Sequence, residues 1–179
     1  MDNLTWDKYF LNIADEVSKK SHCLSRNLGC IIVNNRRILS TGYNGPPSGI
    51  MHCEWRNDRG EWAKLKTLND FIHSVYKPKF ECPRQRMGYK SGEGLEYCSA
   101  THAEANAIVF AARNGVKIDN SAIYINSQIM PCRECAKLII NAGIKEVILK
   151  GEPVIYKQVG ITGYDLLIEA GVIIRDGSK

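Results

Sequence analysis

Between residues 102 and 149 the hydrophobic period of the chain alternates between helical and extended spacing. It predicts a helix over His102–Asn114, a strand over Ala122–Asn126, a helix over Cys132–Ala142 and a strand over Glu146–Leu149. A further helix near Gly163–Ala170 leads into a last strand, Val172–Ile174. Strands separated by single helices are joined by crossovers and so lie parallel in one sheet. Gly115 and Gly143 stand where helix C-terminal glycines are expected.

The front of the chain has a different pattern. Trp6, Tyr9, Phe10, Ile13, Ala14 and Val17 recur at spacings of three and four, which predicts a helix over Trp6–Lys19 with Thr5 as its N-cap. Two β-rich runs, Leu28–Val33 and Arg37–Gly42, are joined by the polar turn Asn34-Asn35-Arg36 and form an antiparallel hairpin. Tyr43-Asn44-Gly45-Pro46-Pro47 ends its second strand. The expected class is therefore α/β, in three layers: a mixed five-stranded sheet, hairpin plus parallel βαβ units, between helices. From about residue 45 to about residue 100 the pattern is irregular, apart from a helix near Glu61–Tyr76 that places Trp62, Leu65, Leu68, Ile72, Val75 and Tyr76 on one side. A single domain over residues 1–179 with this long insertion is the economical organisation. Insertions of that length are usually functional or held down.

Composition narrows the setting. The 179 residues are 44% hydrophobic and 24% charged, ordinary for a globular chain that buries a core without disulfides. No apolar run has the length of a membrane span, and Met1–Asp7 lacks the basic-then-apolar layout of a signal peptide, so a cytoplasmic location and no membrane partner are expected. Seven cysteines in a reducing compartment point to metal ligands, core residues or reactive thiols. The formal charge of +5 suits an anionic substrate or an ordinary solvated surface, and no basic block indicates nucleic acid.

The residues that carry chemistry are Thr101-His102-Ala103-Glu104 and, after 26 intervening residues, Pro131-Cys132-Arg133-Glu134-Cys135. Two cysteines three apart at a helix start can face one ion, and the N–H groups and positive dipole end there favour thiolates. His102 from a second helix start completes three protein ligands for zinc. Three ligands leave a fourth position for water, whose pKa the ion lowers toward neutrality. Glu104 projects into the same cleft without binding metal, placed to move protons. This order of motifs is that of zinc-dependent base deaminases. A lone C-x-x-C also fits a structural zinc or a redox pair, and H-x-E arises by chance, but neither alternative, nor a non-catalytic zinc or nucleotide-sensing module, has a use for Glu104.

Other residues carry weaker signals. Leu24-Ser25-Arg26-Asn27 offers a hydroxyl, a guanidinium and an amide in one loop, so Ser25 and Arg26 suit a substrate phosphate, or a solvated loop equally. Arg113 closes the helix of His102, at an interface or simply at a favourable helix end. Cys30, inside the first strand, reads as a small buried hydrophobe.

Taken together, Trp6-Asp7-Lys8-Tyr9-Phe10, Gly42-Tyr43-Asn44-Gly45, His102 to Ile108, Pro131 to Lys137 and Gly143-Ile144-Lys145 resemble the deoxycytidylate (dCMP) deaminase family over most of the chain outside the insertion. That resemblance implies the cytidine deaminase-like fold and hydrolysis of dCMP to dUMP for thymidylate synthesis. It implies a homo-hexamer activated by dCTP and inhibited by dTTP. It implies that Asn44 contacts the substrate sugar and that Gly42, Tyr43 and Gly45 lie by a regulatory site. The turn also suits glycines for close backbone approach, or is an ordinary strand end. Several members of the family carry a structural Zn2+ in the insertion, and Cys23, Cys53, Cys82 and Cys98 look like its ligands, with His52 as a substitute; unlinked thiols are the alternative. Many relatives carry Asp-x-Tyr after the strand that follows the Cys helix, where this chain has Lys150-Gly151-Glu152-Pro153-Val154-Ile155-Tyr156 and a tyrosine at a shifted position. The competing substrates are dCTP, the adenosine of a tRNA and a riboflavin precursor.

Overall fold

In the computed structural model residues 4–56, 81–90, 92–155 and 160–179 are described, so the helix expected at Glu61–Tyr76, and Tyr156, lie outside the described residues. The chain divides into two compact units, one of residues 1–21, 28–44 and 102–179, the other of residues 22–27 and 45–101.

In the first unit Thr5 caps helix α1 (Trp6–Ser18), its hydroxyl accepting from the Lys8 N–H at 3.3 Å. Strands β1 (Gly29–Asn34) and β2 (Arg37–Tyr43) form the expected hairpin, but the turn is two residues, Asn35 and Arg36, both at positive φ (48° and 61°). That conformation matches the right-handed twist of the strands it joins. After the second unit's main segment come α2 (Ala103–Arg113), β3 (Ala122–Ile125), α3 (Arg133–Asn141), β4 (Glu146–Leu149), α4 (Gly163–Glu169) and β5 (Ile173–Asp176). The sheet order is β2-β1-β3-β4-β5, with β1 antiparallel to β2 and β3, and β3, β4 and β5 parallel. The mixed five-stranded sheet is thus as expected.

Period-two burial sorts the layers. Cys30 and Ile32 of β1, Ile123 and Ile125 of β3, and Val147 and Leu149 of β4 face a core with Ala103, Ala107, Ala111, Ala136, Ile139 and Leu167 of α2, α3 and α4. Ile31, Val33, Tyr124 and Ile148 face the other way, against Phe10 and Leu11 of α1. The buried face of α1 is Phe10, Leu11, Ala14 and Ser18, whereas Trp6 and Tyr9 are 48% and 43% exposed. Sequence periodicity grouped those two aromatics with Phe10, Ile13, Ala14 and Val17 on one face of the helix. The rotation follows from Gly29, where a Cβ would stand 2.3 Å from the Ala14 carbonyl oxygen and 2.5 Å from the Ser18 nitrogen. Small residues at 14 and 18 bring the helix down on a strand without a side chain, and Trp6 and Tyr9 swing to the rim. There Trp6 stacks on Phe10 (centroids 5.7 Å apart) under the Arg36 guanidinium, 4.8 Å from its ring.

In the second unit Gly45 and Thr101 exchange backbone hydrogen bonds of 3.1 and 2.9 Å, closing the insertion at its base. Its described parts are turns: 3-10 segments at Cys53–Trp55 and Leu95–Tyr97 and a one-turn helix at Pro83–Arg86. Among the described residues no helix is long and apolar enough to cross a membrane.

Candidate metal centre

His102 and Cys132 occupy the same position on two helices. Each is the N-cap residue, with extended backbone (φ −70°, ψ 154° and φ −67°, ψ 167°), and neither side chain caps its own helix. Both are turned to a common point instead. His102 Nδ1 lies 3.4 Å from the Sγ atoms of Cys132 and of Cys135, the latter in the first turn of α3. The three ligand atoms all lie within 4.8 Å of one another. Zinc bonds of about 2.0 Å to nitrogen and about 2.3 Å to sulfur at the tetrahedral angle put N and S about 3.5 Å apart, so this donor set fits Zn2+.

The electrostatics agree with that fit. The hydrogen bond from the Cys135 thiol, with His102 adding to it, holds the Cys132 thiol well below its ordinary value against the cost of burial, while the same shared proton pushes Cys135 up. Glu104, the second residue of α2, is 6% exposed, and burial pushes its carboxyl up against the opposing charge of His102. Its Oε2 has no hydrogen-bond partner among the described residues. A buried carboxylate oxygen without a partner is costly, and is retained where a bound group uses it.

Sequence reading did not find two neighbours of this centre. Cys30 is fully buried and its thiol is pushed well up, by burial and then by the charge of Glu104, so β1 supplies the floor beneath that carboxylate. Its row, shared with Ile32 and facing α2, was the available signal. Gly163, read only as a helix start, lies against Pro131 and Cys132.

Gly42 ends neither strand nor turn. It sits within β2, where a Cβ would stand 2.2 Å from the Ala103 carbonyl oxygen and 2.4 Å from the Ala107 nitrogen. A Cβ on Gly45 would meet nothing within 4 Å, so close approach explains Gly42 and not Gly45. Tyr43 is 38% exposed, and its carbonyl accepts from Asn106 Nδ2 at 2.7 Å. Asn44 is buried; its Oδ1 accepts from the Leu28 N–H and the Ser21 hydroxyl, each at 2.7 Å. Ser25 is exposed and Arg26 half-buried in the second unit, and Arg113 is exposed at the end of α2. Cys23, Cys53, Cys82 and Cys98 all belong to the second unit. The Cys53 thiol is pushed up to about 11 by burial and then by Cys98, Cys23 and Cys82, so these three lie near it, although among the described residues only His102, Cys132 and Cys135 bring three ligand atoms within 4.8 Å of one another. His52 and His22 stand edge to face beside them, ring centroids 4.6 Å apart.

Where the sheet continues past β4, Val154 pairs with Ile129, and Met130 N–H donates to the Val154 carbonyl at 3.0 Å. The stretch in place of Asp-x-Tyr therefore holds the loop that leads into Pro131-Cys132.

Residues 4–150 match the family model for the cytidine and deoxycytidylate deaminase zinc-binding region. The deoxycytidylate deaminase of enterobacteria phage T4 is 38% identical over 148 residues, covering 77% of this chain and 74% of that protein. That of Schizosaccharomyces pombe is 33% identical over 144 residues, 80% of this chain but 36% of the relative's length. Among solved structures, the cyanophage S-TIM5 dCMP deaminase in complex with dCMP and dUMP superposes with a TM-score of 0.61 at 26% identity, over 94% of each chain.

Proposed function

This chain belongs to the cytidine and deoxycytidylate deaminase enzyme family, and on that premise we propose that it hydrolyses dCMP to dUMP and ammonia with Zn2+ at His102, Cys132 and Cys135. The observation that carries the proposal is the buried Oε2 of Glu104, two residues from His102, which has no hydrogen-bond partner among the described residues. Zinc held by these three residues would supply a water of lowered pKa at its open position. Glu104 would take one proton from that water and pass it to N3 of the cytosine ring as the water oxygen bonds to C4, then take the second proton from that oxygen and pass it to the amino group, so that the C4–N bond breaks and ammonia leaves. The carboxyl is suited to this because burial raises its proton affinity. Cys30 and Glu104 are both buried, so the carboxylate is largely shielded from bulk water.

The choice of dCMP rests on the phage and yeast relatives and on the S-TIM5 complex. In this reading Asn44 contacts the deoxyribose, Ser25 and Arg26 the phosphate, and Gly42, Tyr43 and Gly45 lie by a regulatory site that answers to dCTP and dTTP. The active form is a homo-hexamer acting in the cytoplasm in supply of thymidylate. Cys23, Cys53, Cys82 and Cys98 hold a second, structural zinc, with His52 replacing a cysteine if one is free; the gathering of three thiols around Cys53 supports it.

Turnover of dCMP, dCTP, CMP, deoxycytidine and a tRNA anticodon stem-loop, each with and without dCTP and dTTP as effectors, tests the reading. dCMP is expected to be the fastest substrate, accelerated by dCTP and slowed by dTTP. Faster turnover of any other substrate would overturn the assignment.

A further inference from the structure

Gly163 is the first residue of α4 and is buried. A Cβ built on it would stand 2.2 Å from the carbonyl oxygen of Pro131 and 2.9 Å from the carbonyl carbon of Cys132. These are backbone atoms, so the clash has no side chain to absorb it. The start of α4 is itself anchored in three ways. Thr162 and Asp165 form a reciprocal capping box. Leu167 is fully buried in the core. Arg133 Nε, between the two ligand cysteines in sequence, donates to the Ile161 carbonyl at 2.8 Å. The Pro131–Cys135 turn thus rests on a helix start that neither retreats nor has a side chain of its own at the contact.

We infer that Gly163, with the Arg133–Ile161 hydrogen bond beside it, is a positioning residue for the metal centre. Seating α4 directly against the Pro131–Cys132 backbone sets where Cys132 and Cys135 stand relative to His102, which arrives on α2. The centre tolerates little displacement: ligand constellations have to be held to about 0.5 Å, and any side chain at 163 demands a shift of about 1 Å. Gly163 does not touch the reacting atoms and acts through Cys132. The inference rests on the reading of His102, Cys132 and Cys135 as a metal site.

Gly29 provides the control. A Cβ there would meet the α1 backbone at 2.3 Å, as severe a clash, but between α1 and β1. Apo wild type, Gly163→Ala and Gly29→Ala are titrated with Co2+, followed by the visible spectrum of the thiolate-imidazole site and by competition with a chromophoric chelator. His102→Ala identifies which part of the signal belongs to this centre. Urea unfolding of each apo protein is measured in parallel. Both glycine variants are expected to lose apo stability. Only Gly163→Ala is expected to bind Co2+ at this site about ten- to a hundredfold more weakly, with an altered ligand-field spectrum. Affinity of Gly163→Ala within about threefold of wild type, or an equal loss in Gly29→Ala, overturns the inference. If Gly163→Ala does not fold, Arg133→Gln is measured instead, since it removes the tie to Ile161 without adding atoms. Weakened Co2+ binding supports the brace, and unchanged binding overturns it. Wild type that binds no Co2+ at His102 overturns the metal reading itself and this inference with it.

Discussion

The phenol of Tyr124 donates a 2.8 Å hydrogen bond to Oδ1 of Asp7, joining β3 to the first turn of α1 across 117 positions of sequence. Arg175 of β5 pairs with the same carboxylate and, through Nε, with Glu146 of β4 at 3.2 Å. Burial alone would push Asp7 up, but the hydrogen bonds from Arg175 and Tyr124 and the charge of Arg175 outweigh it and hold the carboxyl below its ordinary value. Its contribution to stability is therefore complete above the ordinary carboxylate value of about 4 and is lost as pH falls through the lower folded value. Tyr124→Phe is expected to cost about 1 kcal/mol in urea unfolding at pH 7. Asp7→Asn should flatten the fall of stability below about pH 4; an unchanged acid limb would count against the network.

Replacing Glu104 with Gln keeps the volume and removes the proton carrier. Turnover of dCMP is expected to drop by a factor of at least about 100, while zinc content by elemental analysis stays at the wild-type level, because Glu104 is not among the three clustered ligand residues. Activity near wild type would refute the role assigned to it.

Gly42 and Gly45 should respond in opposite ways to the same substitution. Gly42→Ala forces a Cβ into the Ala103 and Ala107 backbone and is expected to cost about 1–3 kcal/mol by urea unfolding. Gly45→Ala meets nothing and should stay within about 0.5 kcal/mol. A similar loss at both positions would show that some constraint other than space acts on this segment.

Asn44 has a structural task whatever it does for substrate, since its Oδ1 holds the Leu28 N–H and the Ser21 hydroxyl. Asn44→Ala leaves the Leu28 N–H unmet, while the Ser21 hydroxyl keeps the backbone carbonyl of residue 44 at 2.7 Å, and is expected to cost about 1–3 kcal/mol. Asn44→Asp keeps an acceptor at both and should fold more stably than Asn44→Ala, while still raising KM for dCMP if the amide meets the sugar. A KM equal to wild type in a folded Asn44→Asp enzyme would remove Asn44 from the binding site.

Zinc content separates the two proposed metal sites. Wild type is expected to carry two zinc ions per chain, His102→Ala one and Cys53→Ser one. A single zinc in fully active wild type would leave the cysteines of the second unit as unlinked thiols.

How legible the molecule was depended on the range of the interaction. The helices that bear His102, Cys132 and Cys135 were visible within a residue or two, because their apolar period and N-cap positions are local properties. The triad was visible for the same reason, since ligand spacing is written along the chain. The exposed position of Trp6 and Tyr9 was not, because amphipathic spacing defines a stripe about the helix axis but not the rotation that packing selects. Gly29, far along the chain, made that selection.

The α/β class, the mixed sheet and the three residues that meet at the candidate metal centre were legible along the chain, because periodicity and donor chemistry need only local order. Folding brings Asp7, Tyr124, Arg175 and Glu146 into one network, sets Cys30 near Glu104, and lays Gly163 of α4 against the Cys132 turn, none of which local order contains. Those relationships depend on which backbones approach within a few ångströms. Close packing sets that distance across the whole fold at once, and no single stretch of sequence contains it.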